Sequence, residues 1–167
     1  GVKEVVMAAV TQNGYALEFA SKELKEVKEV VMAAVAQVGR SLQFASEDLR
    51  GDKEVVLVAV TQDGGALSWA SDELKGDKEV VMAAVAHNGK ALEFASNELK
   101  RDKKIVAAAF ANGLSLEHTS DELQGVKEVV MAAVTQWGGA LRSASDDLKG
   151  DKEVVMAAVK QNDGALG

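Results

Sequence analysis

The 167-residue sequence has no cysteine, no proline, only seven aromatic residues and two histidines. Without cysteine there is no disulfide, no thiolate metal ligand and no thiolate nucleophile, while the compartment stays open because disulfide-free chains occur everywhere. Without proline, glycine alone is left to punctuate the backbone. Seven aromatics in a chain that is 47% hydrophobic require a core packed from Val, Ala, Leu and Met. The longest apolar runs, such as Val80 to Ala86, are six or seven residues, far short of the roughly 18 to 20 that a membrane-spanning helix needs. Cations are the minority, 19 against 26 acidic residues for a net charge of −7, which disfavours the phosphate backbone of nucleic acid as a partner. The sequence opens at Gly1, inside a repeat, with nothing resembling a signal or transit peptide. A soluble, intracellular protein of the cytoplasm or an organelle is expected, processed or cut from a longer array.

What the chain does contain is one phrase written again and again. DKEVVMAAVAHNGKALEFASNELKR, from Asp77 to Arg101, returns with a period of 25, in units that begin at Val2, Val27, Asp52, Asp77, Asp102, Val126 and Asp151. The fifth unit is one residue short and the seventh is cut off at Gly167. A period of this length marks an array of supersecondary units that stack on one another without linkers. The fold class expected is all-α: an α-solenoid of about seven short helix-turn-helix units, one repeat domain over residues 1–167, forming a rod or superhelix roughly 60 to 70 Å long.

Within a unit, steps of 100° gather Val80, Val81, Ala84 and Val85 on one helix face from Asp77 to about Asn88, with Met82 and Ala83 on its flanks. Asp77 is placed to cap this helix, as are Asp52, Asp102 and Asp151, whereas units opening with Val2, Val27 or Val126 lack the cap at about 1 kcal/mol each. Gly14, Gly39, Gly64, Gly89, Gly113 and Gly138 follow the helix, where a left-handed terminating residue is expected. A second helix is expected from Ala91 to about Leu99, with Ala91, Leu92, Ala95 and Leu99 on one face. Ser96 and its counterparts either ride the edge of that helix or cap a fresh final turn.

The pattern D-K-E-V-V-x-A-A-V-x-Q-N-G-x-A-L-x-x-A-S-x-E-L-K resembles a family of short tandem repeats known only as a domain of unknown function, over essentially the whole chain. At lower specificity it is similar to leucine-rich variant repeats, right-handed superhelices of short helices, from which it departs in lacking a proline before the second helix. The first resemblance implies an all-helical array, frequent in algal and other protist proteins, with no assigned activity.

No constellation for chemistry emerges. His87 and His118 occupy different positions of adjacent units and the carboxylates are evenly spread, so no metal site, cofactor site or catalytic residue is expected. Gly64 and Gly65 lack the strand and spacing of a phosphate cradle. Binding is the class that remains, and it is sought where units differ. One variable column follows the glycine: Tyr15, Arg40, Gly65, Lys90, Leu114 and Gly139. The other reads Phe19, Phe44, Trp69, Phe94, His118 and Ser143. These rings either fill space between successive units or line a groove for a peptide, a helix or a flat cofactor. The fifth unit, with Ala107 for Met, Phe110 for Val and a basic run of Lys100, Arg101, Lys103 and Lys104, is a further candidate surface for an acidic partner or lipid headgroup. Phe110 is expected to fill volume vacated by the shorter helix, with a local change of superhelical curvature. Trp137 and Val38, apolar where other units mostly carry Asn or Asp, complete the candidates.

The function expected is a non-catalytic scaffold or accessory subunit that binds protein, within a larger assembly. Two other readings stand beside it: a peripheral subunit of a large membrane-associated assembly, organellar or photosynthetic, and binding of a ligand or single-stranded nucleic acid along the aromatic ladder. The last requires strongly salt-dependent oligonucleotide binding.

Overall fold

A computed structural model of the chain describes residues 1–163. It is all-helical among those residues, and each unit opens with a long helix: α1 (Val2–Gln12), α2 (Lys28–Gln37), α3 (Lys53–Gln62), α4 (Lys78–His87), α5 (Lys103–Ala111), α6 (Lys127–Gln136) and α7 (Lys152–Asp163). Successive long helices pack on one another, and the segment after each packs on the next long helix as well as on its own. No helix among the described residues is long and apolar enough to cross a membrane.

Stacking buries the same columns from the second unit onward, while Val5 at the open face of the first unit stays exposed. Val30, Val55, Val80, Ile105, Val129 and Val154 are fully buried, as are Leu17, Leu42, Leu67 and Leu92 from the segment that follows. Each such side chain contributes roughly 1.5–3 kcal/mol, which outweighs a missing cap of about 1 kcal/mol. Units led by valine therefore tolerate bare ends: Val27 and Val126 make no side-chain cap bond. Asp77 by contrast accepts from the amides of Glu79 and Val80 at 3.0 and 3.1 Å, and Asp52, Asp102 and Asp151 do the same in their units.

The second half of the unit departs from the expected single helix. Gly89–Phe94 is a 3₁₀ helix, Ala95 is extended, and the chain then makes a final turn, a 3₁₀ turn at Leu99–Arg101 in this unit and a one-turn α-helix such as Asp72–Lys75 in most others. Ser96 caps that turn, as do Ser46, Ser71 and Ser120, each accepting from the amide three residues on. Leaving the helix at Ala95 frees the serine amide to reach the preceding unit: Ser46, Ser71, Ser96 and Ser145 donate to the carbonyls of Lys25, Arg50, Lys75 and Gln124 at 2.9–3.1 Å. A continuous helix would have spent those amides internally.

The glycines that follow the long helices also depart from expectation. Among the described residues only Gly113 has positive φ, +89°. It closes the shortened α5 with bonds from Leu114 to Ala109 and from Gly113 to Phe110, the arrangement of a left-handed helix stop. Gly14, Gly39, Gly64 and Gly89 begin the 3₁₀ helix without positive φ and are glycine because the next unit is too close. A Cβ on Gly14, Gly39 or Gly64 would stand 2.3 Å from the carbonyl oxygen of Ala34, Ala59 or Ala84, and one on Gly89 would stand 2.0 Å from that of Ala109. Phe110 is buried in the short unit as expected.

A ladder of ion pairs runs along the starts of the long helices. The lysine at the start of most long helices reaches into the next unit: Lys28 to Asp52 and Glu54 (2.8 and 2.7 Å), Lys53 to Asp77 and Glu79 (both 2.8 Å), Lys127 to Asp151 and Glu153 (2.9 and 2.8 Å), with Lys78 on Asp102. Each aspartate divides its oxygens, Oδ1 capping its own helix and Oδ2 receiving the lysine. The lysine hydrogen bond, supported by the capped amides, holds Asp52, Asp77, Asp102 and Asp151 below the ordinary carboxylate value. The same carboxylates raise Lys28, Lys53 and Lys127.

Gly64→Ala should destabilise by about 3 kcal/mol, the upper range for overpacking, against about 1–2 kcal/mol for Gly113→Ala, which costs only left-handed strain. Urea titration of both variants checks the order, and a neutral Gly64→Ala would refute the close-approach account. The ladder predicts a two-sided pH profile. Aspartates lowered on folding stabilise fully above their unfolded value of about 3.9, and that stabilisation is lost as pH falls through the folded values. Raised lysines stabilise fully below about 10.4 and lose that contribution as pH rises through theirs. Thermal midpoints should be flat between about pH 5 and 9 and fall on both sides, with a smaller acid limb at high salt.

Candidate binding groove

The two variable columns of the sequence meet in space. The 3₁₀ helices stack on one another along the array, and each carries one residue of either column at its two ends: Gly14–Phe19 has Tyr15 and Phe19, Gly39–Phe44 has Arg40 and Phe44, Gly64–Trp69 has Gly65 and Trp69, and Gly89–Phe94 has Lys90 and Phe94. Between the columns lies an open groove of about 540 Å³ that touches four consecutive units and ends at Leu114 and His118 of the fifth.

Its walls are partly apolar and only partly satisfied by the protein itself. Trp69 and Phe94 are 41% and 40% exposed. Tyr15 packs edge-to-face on Phe44 with centroids 6.4 Å apart, and Phe44 is half-buried against the core. Arg40 is tied to Asp63 at 2.6 Å. Glu93 has both oxygens occupied by the amide and hydroxyl of Ser120, at 2.7 and 2.6 Å. Lys90 has no carboxylate partner among the described residues. Gly65, between Arg40 and Lys90 in its column, is where the Arg40 guanidinium lies: a Cβ there would stand 3.4 Å from it and 3.1 Å from Oδ1 of Asp63.

The structure therefore unites Tyr15, Arg40, Trp69, Lys90, Phe94 and His118 along one groove, with Phe44 outside its lining and in contact with Tyr15. It separates the remaining candidates. Phe19 is 86% exposed outside the groove lining. Trp137 lies elsewhere, its ring covered by the Arg142 guanidinium at 5.2 Å, which also holds Glu117 at 3.0 Å. The basic run of the fifth unit divides: Lys100 is buried and paired with Glu122 at 3.1 Å, and Arg101 approaches Glu128 at 3.9 Å. Burial of Lys100 takes it out of the solvated cationic face. Lys103 and Lys104 stay exposed without an ion pair among the described residues: Val126 stands where the next aspartate would be, and Glu128, the remaining acid at that start, lies toward Arg101. Lys103 edges a second cleft of about 560 Å³ that Ala107 opens between α5 and α6.

Two features escaped the sequence reading. Asn13, Asp63 and Asn88 cap the 3₁₀ helices by accepting from the amides of Tyr15, Gly65 and Lys90. Val38 and Trp137 are thus positions that have lost a cap. The Asn-Gly and Asp-Gly pairs were the available signal. The second is the lysine ladder, whose signal was a lysine near the start of each unit matched by acids at the start of the next. No group of three or more His, Asp or Glu gathers among the described residues.

The fold and groove define a helical-repeat protein whose variable surface lies along the stacked 3₁₀ helices. The chain belongs to the family described as Domain of unknown function (DUF4116), whose sequence model matches residues 3–25, 27–75, 77–124 and 127–167. The two middle matches, 27–75 and 77–124, each take in two stacked units. Neither a curated protein nor a solved structure matches the chain.

The rings should differ in what they do for stability. Phe44→Ala should cost about 1–3 kcal/mol, less than the 3–5 of a fully buried phenylalanine, whereas Phe19→Ala should stay within about 0.5 kcal/mol. Chemical denaturation of the two variants checks this, and equal losses would mean that both rings are core.

Proposed function

We propose that the chain is a non-catalytic scaffold or accessory subunit that captures a segment of a partner protein in this groove. The single observation that carries the reading is the coincidence of two kinds of position. Tyr15, Arg40, Gly65, Lys90 and Leu114 of one variable column and Trp69, Phe94 and His118 of the other line the groove, while the valine, alanine and leucine columns that repeat are buried between units. Half-exposed aromatic rings beside a free ammonium group supply what peptide recognition uses: apolar anchors that displace water and polar groups that fix orientation. Charge supports a protein partner over nucleic acid, since the chain carries a net charge of −7 and Arg40, one of the two lysine or arginine residues lining the groove, is held by Asp63.

Random peptide display on the intact chain tests this. Selected peptides should bind the wild-type chain and lose at least tenfold in affinity to Trp69→Ala and to Phe94→Ala, with both variants retaining the helical circular dichroism of the parent. Selections that yield no sequence, or sequences indifferent to both substitutions, would refute the reading.

A further inference from the structure

The cleft between α5 and α6 lies where the array has lost two groups side by side, one apolar and one charged. Four residues after the leading lysine of each long helix stand Met7, Met32, Leu57, Met82, Met131 and Met156, but α5 has Ala107. Ala107 is exposed, and the space beside it is open as a cleft of about 560 Å³ whose apolar walls are Val106, Ala107, Met131 and Ala132. The cleft follows α6 from Lys127 to Gln136, roughly 13 Å, with the first-turn residues Lys103, Lys127, Glu128 and Glu153 at one end and Thr135 and Gln136 at the other. The charged group that is missing is a carboxylate. At regular junctions the leading lysine is taken by the aspartate of the next unit, as Lys53 is by Asp77 at 2.8 Å. Loss of that aspartate does not by itself free the lysine: the second unit opens with Val27, and Lys3 turns to Glu29 at 2.6 Å. The fifth junction differs by Arg101, which stands where other units have Gly51, Gly76, Gly125 and Gly150. Its guanidinium lies 3.9 Å from Oε2 of Glu128, a buried oxygen without a hydrogen bond among the described residues. Glu128 is thus drawn toward Arg101 instead of Lys103.

We propose that this cleft is a binding site for a medium-chain aliphatic carboxylate. The carboxylate of the ligand takes the place of the missing aspartate on Lys103, and its chain takes the place of the missing methionine, lying over Ala107 against Met131 and Ala132. The site is separate from the groove along the 3₁₀ helices and does not depend on what that groove holds. Volume and lining fit the class, since small-molecule sites are clefts of about 300–1,000 Å³ with apolar walls and a few polar groups that fix orientation. Lys127, the other lysine of the lining, is already held by Asp151 and Glu153, so Lys103 is the cation that a ligand meets unpaired among the described residues. The two glutamates of the lining are matched by its two lysines, and a monoanion enters no net negative field. An alcohol of the same length would fill the apolar space and leave the ammonium group unpaired, whereas acetate would pair with it and leave the walls wet.

The chain carries its own reporters. Of its five methionines, Met131 alone lines the cleft, so methyl-labelled methionine followed by NMR locates a ligand, with the Met131 signal assigned through Met131→Leu. Octanoate should shift the Met131 methyl saturably and leave Met7, Met32, Met82 and Met156 in place. Affinity should rise about twofold per methylene from hexanoate to decanoate, as half-buried methylenes contribute. Octanol should bind at least threefold more weakly than octanoate, and Lys103→Gln should cost octanoate the same factor and remove its preference over octanol. Arg101→Gly, outside the lining, should weaken octanoate at least threefold by releasing Glu128 to Lys103. Ala107→Met combined with Val126→Asp, which gives the fifth junction the groups that other units carry, should abolish the octanoate effect while the chain stays helical by circular dichroism. An unmoved Met131, equal affinities for octanoate and octanol, or binding untouched by the combined substitution would overturn the assignment. Display-selected peptides that shift Met131 and are indifferent to Trp69→Ala, with octanoate silent, would give the cleft to a protein segment instead.

Discussion

The distance between one unit and the next is set by a contact between backbones, and most of the structure depends on it. The hydrogen that stands in for Cβ on Gly14, Gly39 and Gly64 is aimed at the carbonyl oxygen of an alanine in the following unit, a short-range contact of the Cα–H to oxygen kind. Those alanines, Ala34, Ala59 and Ala84, are themselves fully buried. A larger residue on either side of the contact would wedge the units apart and leave voids along the valine and leucine columns. Packed interiors tolerate such voids poorly. The small residues are therefore constrained by distance rather than by the turn they accompany.

Once that distance is set, the other inter-unit interactions follow at the same repeat. The lysine of one unit reaches the cap of the next, and the serine amide of one unit reaches the final turn of the unit before it. Each interaction is modest, since the ion pairs are largely exposed and such pairs are worth little singly. They recur at most steps, however, and a linear array accumulates nearest-neighbour terms. The fifth unit shows what one lost residue does to this regularity. Its long helix ends a residue early and needs the left-handed stop at Gly113, and its serine amide is taken by Glu93 rather than by a backbone carbonyl. Lys103 is left without a carboxylate to clasp.

The repeat, the long helices, their aspartate caps and the buried columns were all legible in the sequence, because each rests on periodicity or on short-range chemistry. The second half of the unit was less so. Ala91, Leu92, Ala95 and Leu99 are buried as their spacing implies, yet a 3₁₀ helix, an extended residue and a capped turn place them in the core as well as one α-helix would, and burial pattern alone does not separate the two. The glycines misled for a related reason. A glycine after a helix is compatible with positive φ and equally with a neighbour too close for a side chain, and only the neighbour's position decides. The groove was half visible: two variable columns could be named from the sequence, but their convergence depends on the 3₁₀ geometry that brings Tyr15 and Arg40 alongside Trp69 and Phe94. The division of the basic run was invisible, since nothing local distinguishes buried Lys100 from exposed Lys103.

Why the variable residues collect on one surface follows from the same spacing. A residue in the buried columns meets both neighbours at a fixed distance, so its volume is prescribed and the units converge on Val, Ala and Leu. A residue at the ends of the 3₁₀ helices meets a neighbour only along one edge, and Tyr15, Arg40, Gly65 and Lys90 can replace one another at a position whose backbone bonds are already satisfied by the preceding Asn or Asp in three of the four units. A regular array with freely variable positions along a single furrow is a ruler with interchangeable markings. On the proposed binding role, the ruler would fix how far apart a ligand's contacting groups lie and the markings would decide which groups those are, so that selectivity would need no reactive cluster, and none gathers among the described residues.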